Sequence, residues 1–577
     1  MAERSRDGSR GRARTIAAAL AALLSLAMPP PPANAAIKLD LSYVDTGSPA
    51  YRRFRDWVDA AVAGRPGYGF SPADAVYLYR ISGKQHYCEF AVGEIDRQVA
   101  AAEAAIAAGE RPAVAGDSYL EAGPMIGALA LGYEVCAAFT GEAQRARWRA
   151  YAERTLANIW DPPAARWGDR AYPWSGWGTD NPGNNYHYSF LEATMSWALA
   201  ADDAAWLARL RERLLPALTA YVAALPGGGS REGTGYGTAQ MRLFALYRLW
   251  RDSTGEDLAA ANGHLDDTIR FWVHATVPDF TQFAPLGDQA RVSQPEIYDY
   301  QRRLMLEARA LTRDAAVRDL ASWWLSKIPL QRMTHGFNAR YDLLPAGSGG
   351  HAPAERDYVA SGTGRVFART GWNRDATWLA FTAGPYSESH AHQDQGGFML
   401  YRGGWLAVTE NIWTRSGIQQ GTDVHNVLRF ERDGAVLPQR EGTTSTMQVE
   451  HAPDGALIVR ADLAPAYGGG SAVRAWTREL RFAADGRLQV VDRYAVAAGT
   501  RAVFQLDVPQ QPVVDGREAR AGALRLRVLS PESARLGVHD WRSTDAGEFR
   551  SGWRIDVETG AAEAGSGEFR VEIDGGG

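Results

Sequence analysis

Cysteine is scarce in this chain: Cys88 and Cys136 are the only two in 577 residues. An even pair suggests one disulfide in an oxidising compartment, and two buried thiols fit the pattern equally well. Cys136 lies in an apolar helical pattern, where free cysteine is common. No run of about 18 apolar residues follows the leader, so no membrane span is expected in the mature form. There is no Walker motif and no G-x-S-x-G elbow. Cationic excess is also missing. The formal charge is −5, and it becomes −8 once a leader carrying five Arg and two acids is removed. Such a chain is no polyanion binder by bulk charge, nucleic acid included, and an anionic substrate needs a local cationic site.

What is present begins with that leader. Arg4, Arg6, Arg10, Arg12 and Arg14 form a basic region, Thr15–Met28 is an Ala/Leu-rich apolar core, and Ala33-Asn34-Ala35 is a small-x-small cleavage site. Residues 1–35 read as a secretory signal, which places the protein in the periplasm or outside the cell. The 19 Trp, 23 Tyr and 18 Phe supply a large core, and the length exceeds one ordinary domain.

Residues 36–346 carry helical spacing. Phe54, Trp57, Val58, Ala61 and Val62 recur at i, i+3, i+4, i+7. Further helices are predicted over 92–108, 119–139, 142–159, 190–200, 204–225, 239–251, 298–312 and 314–326. Many antiparallel helices over this length suggest an (α/α) toroid or incomplete barrel. The Gly347-Ser-Gly-Gly350 stretch reads as a linker. From 351 to 577 the texture is short apolar or alternating segments, such as Trp378–Phe381, Phe398–Tyr401, Trp405–Val408 and Leu524–Val528, broken by turn residues. That predicts an antiparallel β-sandwich, and an α+β multidomain chain overall.

Three stretches concentrate chemistry. The first, Trp174 to Tyr188, holds Trp177, Asp180, Asn181, Asn184, Asn185, Tyr186, His187 and Tyr188. Aromatic faces beside amides suit sugars, whose rings have apolar faces and polar edges; the bland reading is a turn with Asn184 or Asn185 capping the next helix. The second, Ser230 to Gly237, sets Glu232 and Tyr236 among alternating glycines. It lacks the strand context of a nucleotide fingerprint, and a flexible connector is the alternative. The third runs from Tyr386 to Tyr401. His390, His392 and Asp394 sit two apart, which on a strand puts them on one face, in an arrangement suited to metal binding or proton transfer. Glu410 and His425-Asn426 follow, so His392, Glu410 and His425 could complete a three-ligand zinc site with water. Histidines that only bond carboxylates are the alternative. Asp288 reads as a turn or helix cap.

With these residues in place, the chain resembles the heparinase II/III-like polysaccharide lyases, which join an α/α toroid to a β-sandwich. His390-Ala-His392-Gln-Asp394, His425-Asn426 and Arg365-Val-Phe-Ala-Arg369-Thr-Gly-Trp372 carry the resemblance, with the Asn-Tyr-His and Glu-Gly-x-Gly-Tyr loops fitting more loosely. The resemblance implies β-elimination on a polysaccharide or oligosaccharide containing uronic acid, with no organic cofactor. It places Asn185 and Asn184 at the uronate carboxylate, Tyr236 as acid or base, and His187 and His390 in proton transfer. Tyr186, Tyr188, Trp177 and Glu232 would line the substrate. A structural zinc ion would fall to His392, Glu410 and His425, although Thr409 stands where the family usually has Asp. His390 would then face the cleft, His392 would face inward, and Asp394 would support the strand's approach. Two other readings fit the same residues: a glycoside hydrolase using Glu232 with Asp180 or Glu388, at a separation of about 5–10 Å, and a non-catalytic carbohydrate-binding protein.

Overall fold

The computed structural model describes residues 36–289, 293–559 and 565–576. The signal-like leader lies outside them. Twelve α-helices are described: α1 (Pro49–Val62), α2 (Pro72–Ser82), α3 (His86–Ala107), α4 (Ala122–Val135), α5 (Glu142–Trp160), α6 (Asn185–Ala200), α7 (Ala204–Arg209), α8 (Leu215–Ala223), α9 (Gln240–Thr254), α10 (His264–Ala275), α11 (Asp299–Leu311) and α12 (Ala315–Lys327). None is long and apolar enough to cross a membrane.

Their ends follow local chemistry. Ser71 and Asp74 form a capping box ahead of α2, with Pro72 in its first turn. Asp203 and Asp314 cap α7 and α12 with their carboxylates. Left-handed Gly83 and Gly255 end α2 and α9. Helices α2, α4, α6, α9 and α11 pack in succession around a central hollow, and α1 with the 3-10 segment Gly336–Leu343 closes the ring. Helix α4 runs close to α6 because its facing residues are small. A methyl group on Gly123 would meet the Ser189 hydroxyl at 2.7 Å. Cys88 on α3 and Cys136, which ends α4, are joined as a disulfide with Cα atoms 5.5 Å apart. The free-thiol alternative is thereby corrected.

The remainder is antiparallel sheet. Strands Asp357–Ala360, Arg365–Arg369, Trp378–Thr382, Phe398–Tyr401 and Trp405–Ala407 make a five-stranded sheet in chain order. A second five-stranded sheet is centred on Thr500–Val508, and an eight-stranded sheet on Leu488–Val496 and Gly565–Gly575. Phe381 and Leu400 from the first sheet, Phe430 and Phe504 from the second, and Trp476, Leu480 and Val571 from the third share one apolar core.

Arg478, wholly buried in that core, donates two hydrogen bonds to Asp492, of 2.8 and 2.7 Å. It donates two more to the carbonyls of Gly396 and Asn426, at 2.6 and 2.8 Å. Those carbonyls belong to the loops that carry His392 and His425. The guanidinium is therefore satisfied only when both loops sit correctly. The sheet region also grips the helical region: Arg369 donates to the His274 and Thr276 carbonyls at the end of α10, at 3.0 and 2.7 Å, and Trp378 donates to the same His274 carbonyl at 2.9 Å.

Candidate active site

Three loops meet beside the first turns of α6 and α9. The loop 230–237 is tied to the loop 284–289 by the Thr234 N–H, which donates to the Leu286 carbonyl at 2.8 Å. Gly233 has φ +89°, and a Cβ there would stand 2.0 Å from the Leu286 oxygen, so only glycine allows the approach. Gly233 of the second stretch is thus a close-approach position. Gly287 likewise leaves room for the Glu232 and His390 carbonyls, each 2.7 Å from where a Cβ would lie. The Asp288 N–H then donates to the His390 carbonyl at 2.9 Å, which joins the third loop, 387–397.

That third loop corrects an expectation. His390, His392 and Asp394 do not share a strand face, because the strand begins only at Phe398. Side-chain direction in the loop is set by its partners. His390 Nδ1 lies 2.9 Å from Asp288 Oδ2, and His392 Nε2 lies 2.8 Å from Asp288 Oδ1. Gln420 donates to both oxygens of the same carboxylate at 3.1 Å. Burial pushes the Asp288 carboxyl up, but the bonds from His390, His392 and Gln420 outweigh it and hold it at about 2. With Nδ1–H donated to this carboxylate, the neutral tautomer of His390 carries its lone pair on Nε2, which has no hydrogen-bond partner among the described residues. Asp394 bonds Arg365 at 3.1 Å and so braces the loop, in line with the supporting role expected of it.

Tyr236 opens the 3-10 turn that leads into α9, and its ring lies flat on the His390 imidazole, with centroids 3.6 Å apart and planes at 10°. Burial is the main cause that raises its phenol above the ordinary range, and the charges of Asp288, Glu232 and Asp117 add to it. The hydroxyl is therefore a protonated group at neutral pH. Asn184 caps α6, its Oδ1 accepting the Tyr186 N–H at 3.0 Å. Asn184 is buried, and this cap uses its side-chain oxygen. Asn185 is half-buried, and its side-chain amide has no hydrogen-bond partner among the described residues; its Oδ1 is a buried orphan.

His187 sits behind Asn185, 2% exposed, with Nδ1 2.9 Å from the Gly178 carbonyl. A carbonyl can only accept, so Nδ1 carries the proton and Nε2 is a buried lone pair without a partner. Burial pulls this imidazole down to about 4, which keeps it neutral. The bond also fixes the loop that exposes Trp177. The Tyr186 hydroxyl donates to Asp117 at 3.0 Å. Asp117, Ser118 and Tyr119 all take positive φ, a left-handed turn that non-glycine residues adopt at a cost of about 1–2 kcal/mol each. Tyr188 is 1% exposed, which corrects its assignment as a substrate contact.

Glu232 is also enclosed, at 1% exposure, and both its oxygens lack a hydrogen-bond partner. Burial, then the nearby charge of Glu388, pushes its carboxyl up to about 8, so it is neutral at pH 7. Glu388 is held by Asn181 at 2.9 Å and by Tyr221 at 3.5 Å. Two carboxyls enclosed in this way do not flank an open cleft, as a hydrolase pair must.

Of the proposed zinc ligands, His392 and His425 are brought together and Glu410 is not. His392 Nδ1 faces His425 Nε2 at 3.2 Å, and burial drives the His425 imidazole well below its usual range. Glu410 points elsewhere, against Gly552, where a Cβ would come within 2.1 Å of its Oε2. Burial, with Asp507 beside it, raises that carboxyl to about 11. Thr409 spends its hydroxyl on the Val424 carbonyl at 2.8 Å. Among the described residues no three His, Cys, Asp or Glu side chains converge on a metal position. The carboxylate partner of both His390 and His392 is Asp288, which its sequence context marks only as a turn or helix cap.

No protein-family model matches the chain, and no curated protein does. Solved structures do. Heparinase III superposes with a TM-score of 0.60 at 13% identity, over 94% of this chain and 81% of that one. Heparan sulfate lyase HepC from Pedobacter heparinus gives 0.56 at 14% identity, over 92% and 85%. The chain has the heparinase III fold. In that fold the loop leading into α9 meets the loop of His390 where helical ring and sheets join, and there Tyr236, His390 and Asp288 converge.

Proposed function

We propose that this protein is a polysaccharide lyase that cleaves a uronic-acid-containing polysaccharide by β-elimination, in the periplasm or outside the cell. The observation that carries the reading is the Tyr236–His390 stack with His390 bonded to Asp288. β-Elimination at a uronate removes the C5 proton and expels the C4 glycosidic oxygen. It needs an unprotonated base on one side, a proton donor near the leaving oxygen, and hydrogen-bond donors that stabilise charge developing on the carboxylate. His390 Nε2 supplies the lone pair, since Asp288 holds its other nitrogen as N–H. The Tyr236 hydroxyl, kept protonated, delivers the proton to the leaving oxygen. The unpartnered amide of Asn185 donates to the carboxylate. His187 holds the Trp177 loop, whose exposed indole offers a stacking face for a sugar ring.

The heparinase III and heparan sulfate lyase neighbours support an anionic polysaccharide as the substrate class. The disulfide and the signal-like leader support an oxidising compartment. The test is to incubate the purified protein with heparan sulfate, other glycosaminoglycans, alginate, glucuronan and pectin while following ultraviolet absorbance of an unsaturated uronate. Saturated products would instead identify a hydrolase, and unchanged polymer a binding protein.

A further inference from the structure

The ring of helices encloses a hollow of about 270 Å³ that the chemistry above does not use. On α4 it is lined by Gly127 and Ala128, which leave room, and by Pro124 and Leu131. On α9 its lining runs from Arg242 in the first turn to Asp252 in the last, so it follows the helix axes. Its far wall, at the C-terminal ends of α4 and α9, is the segment Ile37–Leu39. The Ile37 N–H donates to Glu134 at 2.8 Å and the Lys38 N–H to Ser253 at 3.1 Å. Its near end lies under the catalytic loops. Tyr236 precedes Arg242 by six residues, roughly 10 Å along a 3-10 turn and an α-helix.

The hollow is lined by both signs of charge, with Glu121 and Asp252 among its acids, and Asp252 is paired with Arg251 at 3.1 Å. Arg340 pairs with Asp74 at 3.0 Å and Arg248 with Glu307 at 2.9 Å. Arg242 and Arg303 have no carboxylate or other acceptor among the described residues. Arg303 is 8% exposed, its Nε is an orphan, and its guanidinium lies 3.3 Å over the Tyr341 ring. Glu192 also lines the space, but its carboxylate rests against α4, where a methyl on Gly123 would meet it at 2.8 Å. A buried guanidinium without an acceptor is costly, and an oxyanion between the two arginines relieves that cost.

We propose that this hollow is a subsite for the anionic end of a saccharide, its carboxylate or sulfate held between Arg242 and Arg303. The inference rests on the lyase reading for the polymer it names, but the site stands on its own geometry. The volume falls just below the range of about 300–1,000 Å³ usual for ligand pockets, which suits one sugar unit and not a through-running chain. With Ile37–Leu39 at the back, a chain enters end-on, and cleavage falls at a fixed distance from its terminus.

The test uses the full protein and measures thermal shift and calorimetric binding of glucuronate, inorganic sulfate and glucose at matched ionic strength. Glucuronate, sulfate or both are expected to bind and glucose not to; which of the two binds identifies the group as carboxylate or sulfate. Arg242→Met is expected to weaken that binding at least tenfold. Arg242 has no hydrogen bond or ion pair among the described residues, so this variant keeps the test sound even if Arg303→Met, which also removes the Tyr341 contact, fails to fold. Equal affinity in Arg242→Met and wild type, equal binding of glucose, or no binding of either anion overturns the proposal. Because binding is read without turnover, absence of lyase activity leaves this result intact. If the lyase reading also holds, wild type releases products of one short length and Arg242→Met a broader range; an unchanged product pattern counts against end-on entry.

Discussion

Tyr236 and His390 stack face to face, 3.6 Å between ring centroids, although one belongs to the helical ring and the other to a loop between sheet strands. The contact holds the phenol ring against an imidazole that Asp288 orients. Removing the hydroxyl alone therefore tests proton donation. Tyr236→Phe keeps the stack, and its turnover is expected to fall by about 10²–10⁴. Affinity for the polymer, measured by calorimetry, is expected to stay within a few-fold of wild type. Normal turnover would remove Tyr236 from the mechanism.

Asp288 is a positioning residue. In Asp288→Asn the amide cannot accept from both imidazoles through two anionic oxygens, so the orientation and tautomer of His390 are no longer enforced. A loss of about 10–100-fold in kcat with little change in KM is expected. An unchanged kcat, or a rise in KM alone, would show that the carboxylate serves only the fold.

The adjacent asparagines separate. Asn184→Ala removes a helix cap and is expected to cost about 0.5–2 kcal/mol in chemical denaturation, with modest effect on rate. Asn185→Ala is expected to leave stability nearly unchanged and to reduce kcat/KM by about 10²–10³, the scale of losing one oxyanion donor. The reverse pattern would move the carboxylate contact back to Asn184.

Glu232 predicts a pH dependence of stability. Its carboxyl titrates near 8 when folded against 4.5 ordinarily, so between those values the folded chain retains a proton that the unfolded chain has lost. Stability contributed by this group declines as pH rises through that window, by up to about 1.4 kcal/mol per unit, and levels off above it. Glu410 and Asp507 are raised too and steepen the wild-type slope, so the comparison with Glu232→Gln isolates this residue. The variant's unfolding temperature should gain on wild type from about pH 5 to about pH 9. Parallel curves would mean that Glu232 is ionised in the folded protein.

The Cys88–Cys136 bridge closes a loop over a separation of 48 residues. The chain-entropy argument assigns it about 4 kcal/mol. Reduction, or Cys88→Ala with Cys136→Ala, is expected to lower the unfolding temperature by several degrees without altering kcat. No shift would mean that the two sulfurs are unlinked in solution.

Much of the architecture was legible because it is written in local periodicity. Helices such as α5 and α12 and strands such as Phe398–Tyr401 fall where spacing places them. Helix α2 escaped notice because it is short, and α10 because polar residues and two histidines interrupt its pattern. The period-two reading of His390, His392 and Asp394 failed for a different reason. Gly396 and Gly397 turn the chain before pairing begins, and the side chains then point wherever Asp288 and Arg365 hold them.

Sequence alone determined the helical ring, the sheets that follow it, and the three polar stretches, because each depends on neighbours within one or two turns of chain. Tertiary structure decided which of those residues act together. Asp288 lies 102 positions from His390, and no spacing rule reaches that far; only the glycines at 233 and 287 let the loops close to hydrogen-bonding distance. The same closure leaves Glu410 apart from the histidines and encloses Tyr188 and Asn184. Side chains that look equivalent in the chain differ in what they can do, because burial and partners are properties of the folded loops and not of the residues themselves.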